Sequence, residues 1–121
     1  MTAIKRNDTP VAIKDGEVEL RVQDVGGDMS VAFAKFPAGT DMGPALKGLA
    51  GDLCPCPHWG YLFKGRLKMR TPDGEETYEA GEAFYWPPGH APLAVEDCEY
   101  IDFSPAKEFE AVVEHIKAQG G

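Results

Sequence analysis

The densest run of potential metal ligands in the sequence is Asp52-Leu53-Cys54-Pro55-Cys56-Pro57-His58. Thiolate and imidazole are the usual ligands of zinc and of several other late first-row metals. On an extended chain alternate residues share a face, so positions 52, 54, 56 and 58 would send three or four donors to one point. Pro55 and Pro57 oppose this, because they favour polyproline geometry, in which the alternation fails. Spacing alone leaves two readings open: Cys54, Cys56 and His58 as ligands, or as small buried thiols and a hydrogen-bonded core histidine. A second histidine, His90, follows Pro87-Pro88-Gly89 at a turn. His115 sits off the apolar stripe of a terminal helix and is read as a surface residue without a role.

The elements that must position these residues are short. Of 121 residues, 14 are Gly and 10 are Pro, well above average usage, which implies many tight turns. Val18, Leu20 and Val22, then Met29, Val31 and Phe33, alternate as two strands about a Gly26-Gly27 turn. Phe36 to Thr40 ends the second strand, and Asp41 to Asp52 reads as a loop long enough to have a binding role. Tyr61 to Arg70 runs on as a strand, stops at Thr71-Pro72-Asp73-Gly74 and resumes at Glu75 to Tyr78, a hairpin signature. Further short runs at Phe84–Trp86, Leu93–Val95 and Cys98–Phe103 keep the spacing of a small sandwich or barrel. Only the end is helical: Ser104 is a good N-cap, Pro105 fits the first turn, and Phe109, Val112, Val113 and Ile116 form one apolar stripe. The sequence therefore predicts a single all-β domain over 1–121, with a barrel over about 17–103 and a helix over about 105–118.

Composition narrows the partners. With 12 Lys plus Arg against 20 Asp plus Glu the formal charge is −8, a field that repels phosphate backbones and anionic headgroups, so neither nucleic acid nor a membrane is expected. The N-terminal residues have no apolar signal-like run, and three cysteines, an odd number, do not suggest a disulfide framework. A cytoplasmic protein with free or ligating thiols is expected. No nucleotide-binding glycine loop is present, so no nucleotide cofactor is expected.

Phe36-Pro37-Ala38-Gly39-Thr40, then His58 through Gly65, then Gly81 through Pro87-Pro88-Gly89-His90 together resemble the two motifs of the cupin superfamily, over about two thirds of the chain. The resemblance implies a double-stranded β-helical jelly-roll barrel, of a family in which many members hold one metal ion in the barrel mouth, and a homodimer, since small cupins often pair through sheet edges. Counting back from Gly65, the family's first-motif Glu falls on His58 and its paired His on Cys54 and Asp52. Counting forward from Gly89, the second-motif His falls on Pro92, two residues past His90. The usual ligand set is thus replaced, and an altered site is expected from Cys54, Cys56, His58 and His90. The thiolate favours a divalent zinc or iron ion.

Among the motif aromatics Trp59, Tyr61, Phe63, Phe84, Tyr85 and Trp86, alternation must put some on the face opposite their neighbours, where they would line a pocket or an interface. Asp52, Tyr61 and Trp86 are the candidate pocket residues. Two functions follow: a metal-dependent enzyme of oxygenase, isomerase or lyase type on a small organic molecule, or a metal-free module that binds or senses such a molecule.

Overall fold

The computed structural model describes residues 1–120. Nine strands run β1 (Val11–Asp15), β2 (Val18–Gly26), β3 (Met29–Phe36), β4 (His58–Lys64), β5 (Arg66–Thr71), β6 (Gly74–Glu79), β7 (Ala83–Trp86), β8 (Ala91–Ala94) and β9 (Cys98–Pro105), followed by helix α1 (Ala106–Gly120). They form a six-stranded sheet of order β1-β2-β3-β9-β4-β7 and a three-stranded sheet of order β6-β5-β8. Every ladder is antiparallel, as in a jelly roll.

The alternation seen in the sequence sets the faces. Leu20, Ala32, Ala34, Phe36, Leu62, Phe84, Trp86, Cys98 and Tyr100 point from the large sheet into the core, where they meet Leu67, Met69, Ala91 and Ala94 of the small one. Phe109, Val112 and Val113 of α1 close one end of that core. The β2–β3 turn is Gly27-Asp28, both at positive φ of 62°, the geometry that matches the twist of a two-residue hairpin.

Several elements differ from the sequence reading. The run from Tyr61 to Arg70 is two strands in two sheets. Gly65, at φ 87°, turns the corner, and a Cβ there would lie 2.1 Å from the Asp97 carbonyl oxygen, so only glycine fits. β1 was not expected; it is a short, largely exposed edge strand with a bulge between Val11 and Ile13. The helix starts at Ala106 and runs to Gly120 rather than over about 105–118. Ser104 does not cap it: β9 passes directly into α1, and the Ser104 hydroxyl is used elsewhere. The 41–52 segment is not structureless but holds two single-turn 3-10 helices, Pro44–Leu46 and Ala50–Asp52.

That segment is tied down at both sides. Met42 N donates to the Pro92 carbonyl at 3.0 Å, Leu46 is buried, and His115 Nε2 and Gln119 Nε2 of α1 reach the Lys47 carbonyl at 2.7 and 2.8 Å. His115 is therefore a clamp between helix and loop, where the sequence assigned it no role.

Candidate metal centre

Three segments converge at the mouth of the barrel. Cys54 pairs with His90 as a bridge, Cys54 N donating to the His90 carbonyl at 2.8 Å and Gly89 N to the Cys54 carbonyl at 2.7 Å. His58 opens β4 opposite Trp86 of β7. Cys54, His58 and His90 are all buried, and one donor atom from each lies within 4.8 Å of the others. The two imidazoles, 32 positions apart in the chain, have ring centroids 4.9 Å apart.

Hydrogen bonds orient both rings. His90 Nδ1 is 2.8 Å from the Pro87 carbonyl oxygen, which can only accept, so Nδ1 carries the proton and Nε2 presents a bare lone pair. His58 Nδ1 lies 2.6 Å from Ser104 Oγ, and its Nε2 lies 3.5 Å from Cys54 Sγ. With Ser104 as acceptor, His58 likewise turns an unprotonated Nε2 towards Cys54. A ligating histidine held at its other nitrogen in this way is the usual outer-shell arrangement of a metal site. Two nitrogen donors and one sulfur around a tetrahedral ion need separations of roughly 3.3–3.8 Å, from bond lengths of about 2.0–2.3 Å. The Cys54–His58 contact has that spacing.

Burial sets the charges. His58 is pushed down to about 3 by burial and then by His90, and His90 is lowered by burial against a smaller opposing effect of the Pro87 carbonyl. Burial raises Cys54 to about 11. Both imidazoles are thus neutral at pH 7, as ligation requires, and the thiol keeps its proton until a cation displaces it.

One functional residue was missed by the sequence reading. Asp102 of β9 is buried beside His58, with Oδ2 3.8 Å from Nδ1, and burial raises it to about 8. At that separation an ion pair is geometrically available, but a site this dry favours the two neutral partners. Asp102 Oδ1 has no hydrogen-bond partner. A buried carboxyl with an orphaned oxygen, next to two neutral imidazoles and a thiol, is a donor set suited to a cation, and the residues present fit a divalent metal. The signal in the sequence was phase: Asp102 stands in register with Cys98, Tyr100 and Ser104, on the inward face of β9.

The remaining candidates separate clearly. Cys56 is fully buried but its Sγ turns to the Pro57 carbonyl at 3.6 Å, outside the three-donor group, because the Pro55–Pro57 stretch is not strand and alternation does not carry through it. Asp52 is exposed and its carboxylate accepts from Gly48 N at 2.9 Å, closing its own turn. Tyr61 lies on the outer face of β4, 40% exposed, and does not reach the cavity. Trp86 does line it.

The cavity is small, about 50 Å³, and is lined by Cys54, His58, His90 and Asp102 together with a largely apolar wall that includes Met42, Leu46, Trp86, Tyr100, Phe109 and Ile116. Met42 and Leu46 bring the 41–52 segment to the same space as the histidines. No lysine or arginine lines the space.

With the geometry in hand, comparison with known structures places the fold among the cupins. An RmlC-like cupin from Shewanella frigidimarina NCIMB 400 aligns with a TM-score of 0.62 at 16% identity, over 88% of this chain and 93% of that one. KdgF from Halomonas sp. aligns at 0.60 and 19%, over 87% and 94%. Bacillus subtilis oxalate decarboxylase, which has Mn(II) centres, aligns at 0.62 and 16%, over 82% of this chain but 28% of its own length. No protein-family model matches the sequence, and no curated protein matches it. At these identities the likeness is one of fold, a cupin jelly roll with one C-terminal helix, and chemistry has to be argued from the site.

Proposed function

We propose that the protein holds one divalent transition metal, zinc or iron, on Cys54, His58 and His90, and uses it on a small, weakly polar organic molecule. The observation that carries this reading is the pair of oriented imidazoles: Nδ1 of each is engaged by Pro87 or Ser104, His58 Nε2 lies 3.5 Å from the Cys54 sulfur, and a donor atom of His90 lies within 4.8 Å of the donors of both. The apolar wall and the lack of a lining cation argue against phosphorylated or polycarboxylate substrates, whose charge would have no protein partner. A bound ion would supply Lewis acidity towards a substrate oxygen. The chain's own residues exclude water, hold the histidines in their tautomers, and place Asp102 where it can keep or release a proton beside His58.

The alternative is a metal-free binding or sensing module, in which the two imidazoles hydrogen-bond a ligand. What favours it is that burial leaves the site uncharged without an ion, lowering both histidines and raising Cys54 and Asp102; the cavity of about 50 Å³, far below the roughly 300 Å³ of ordinary small-molecule pockets, restricts the organic molecule equally in both readings. Elemental analysis of protein purified without chelator or affinity-tag nickel separates the two. The metal reading expects close to one ion per chain, lost in His58→Ala while circular dichroism still reports a folded barrel. Wild-type protein that carries no stoichiometric metal and takes up none on titration with zinc or iron(II) overturns it.

A further inference from the structure

The buried site is too small for a whole organic molecule. A cavity of about 50 Å³ takes about four water-sized groups, enough for the reacting end of a substrate and not for its body. Outside it, β1, the 41–52 segment and the last turns of α1 border an open groove of about 750 Å³, within the roughly 300–1,000 Å³ of ordinary ligand sites. Ala12, Ile13, Val18, Pro44 and Ala45 give the groove an apolar lining. Of the charged groups at its rim, Lys14 is paired with Glu19 at 3.8 Å, Lys117 with Glu114 at 3.7 Å and Asp41 with Arg70 at 2.6 Å, and Asp15 is exposed to solvent.

Groove and cavity share a wall. Met42 and Ile116 line both, and three elements carry the lining from one space to the other. On β2, Leu20 lines the cavity and Val18, two residues away on the same face, lines the groove. On α1, Val112 stands in the cavity, Ile116 at the shared wall and Gln119 in the groove, at the spacing of one helix face. In the 41–52 segment Leu46 is inside, Met42 at the wall, and Pro44 and Ala45 outside. The backbone of this wall is held by the Met42–Pro92 hydrogen bond and by the bonds of His115 and Gln119 to the Lys47 carbonyl, so passage falls to the side chains. Ile116 is β-branched and stiff at χ1, whereas Met42 is unbranched with three rotatable bonds.

We propose that groove and cavity are the two halves of one substrate site with Met42 as its gate. The substrate is an unbranched, uncharged molecule whose oxygen-bearing end passes between Met42 and Ile116 and whose apolar body lies against β1. Paired charges at the rim give the groove no preference for an ionic ligand, and its continuity with the cavity makes one molecule the occupant of both. The role of the deep end rests on the metal reading, since an ion on Cys54, His58 and His90 is what the oxygen would meet.

The test is a titration of methyl-labelled full chain with primary alcohols from propanol to octanol, followed by methyl NMR in metal-free and in zinc-supplemented protein. Octanol should shift the methyls of Ile13, Val18 and Ala45 in the groove together with those of Leu46 and Val112 in the cavity. Affinity should rise about three- to fourfold per methylene, as for a chain leaving water, and propanol should shift the cavity methyls alone. In Met42→Trp the groove shifts of octanol should persist and the cavity shifts vanish. Zinc should tighten the binding of every alcohol. Protein that takes up no zinc, or binds alcohols equally with and without it, defeats the metal reading, while the metal-free series still decides the groove. Octanol shifts confined to the cavity, or to Ile101 opposite Tyr61 on the outer face of the sheet, overturn the proposal. Affinities that do not change with chain length do so too, as do groove shifts that follow protein concentration instead of alcohol, the mark of a second copy as occupant. Cavity shifts that survive in a folded Met42→Trp variant overturn Met42 as the gate. The wild-type series decides the shared site whether or not the variant folds.

Discussion

Asp102 and the two histidines make opposite demands on the metal-free protein, and the pH at which they balance can be worked out. Asp102 has an ordinary carboxyl value of 3.8 that burial raises to about 8. Between these values the folded protein holds a proton that the unfolded chain has lost, so stability falls as pH rises, by about 1.4 kcal/mol per pH unit. His58 is lowered from 6.5 to about 3 and His90 is lowered in the same direction. Below 6.5 the unfolded chain binds protons there that the folded protein refuses, and stability is lost as pH falls. Just below 6.5 two histidines oppose one carboxyl and the acid side loses; above 6.5 Asp102 outweighs them. Metal-free protein should therefore be most stable near pH 6.5 and lose about 1 kcal/mol by pH 8, because the unfolded histidines give up their last protons over the first part of that range and Asp102 is itself half ionised at its end. Urea denaturation of chelator-dialysed protein from pH 5 to 8 reads this out, and in Asp102→Asn the alkaline decline should vanish while the acid one remains. A wild-type stability that stays flat or rises from 6.5 to 8, or an alkaline decline that survives in Asp102→Asn, refutes the reasoning.

Gly60→Ala should destabilise the fold by about 3 kcal/mol or more, since a Cβ there would stand 2.1 Å from the Ile101 carbonyl oxygen and 2.9 Å from Asp102 Cβ; chemical denaturation measures it. Cys54→Ser should lower zinc affinity by at least about 10-fold and Cys56→Ser by much less, because only Cys54 joins the histidines; competitive chelator titration distinguishes them, and equal losses would contradict the assignment. His115→Ala removes an exposed clamp on the Lys47 carbonyl, so global stability should drop by no more than about 1 kcal/mol while amides of residues 47–53 exchange measurably faster with solvent.

The sequence made some of this visible and hid the rest for physical reasons. The β2–β3 hairpin was legible because Val18, Leu20 and Val22 alternate up to a glycine pair and resume beyond it. β1 was not, because an exposed edge strand with a bulge has no clean alternation to show. β4 and β5 merged into one because the corner at Gly65 depends on the approach of Asp97, 32 positions away. Ser104 has the chemistry of an N-cap, and tertiary structure spends its hydroxyl on His58 instead. For Tyr61 the alternation was itself the guide: three positions from His58 on one strand is the opposite face. His90 was unreadable locally, since its burial comes from the Cys54 segment folding over it.

β9 is the last strand in sequence and the fourth across the large sheet, and this order constrains how the protein can fold. β3 and β4 share no ladder; each pairs with β9. Until β9 inserts, β1–β2–β3 and β4–β7 are separate ribbons, each with an unpaired central edge that invites mispairing between chains. The closing contacts are distant in sequence, Ser30 with Ser104 and His58 with Asp102 among them, which puts the rate-limiting step among the slow, non-local β-pairings. Ser104 and Asp102 arrive on that same strand, so the groups that hold His58 Nδ1 reach it in the event that joins the ribbons. On the metal reading, an ion that met the emerging chain would find Cys54 and His58 without that support.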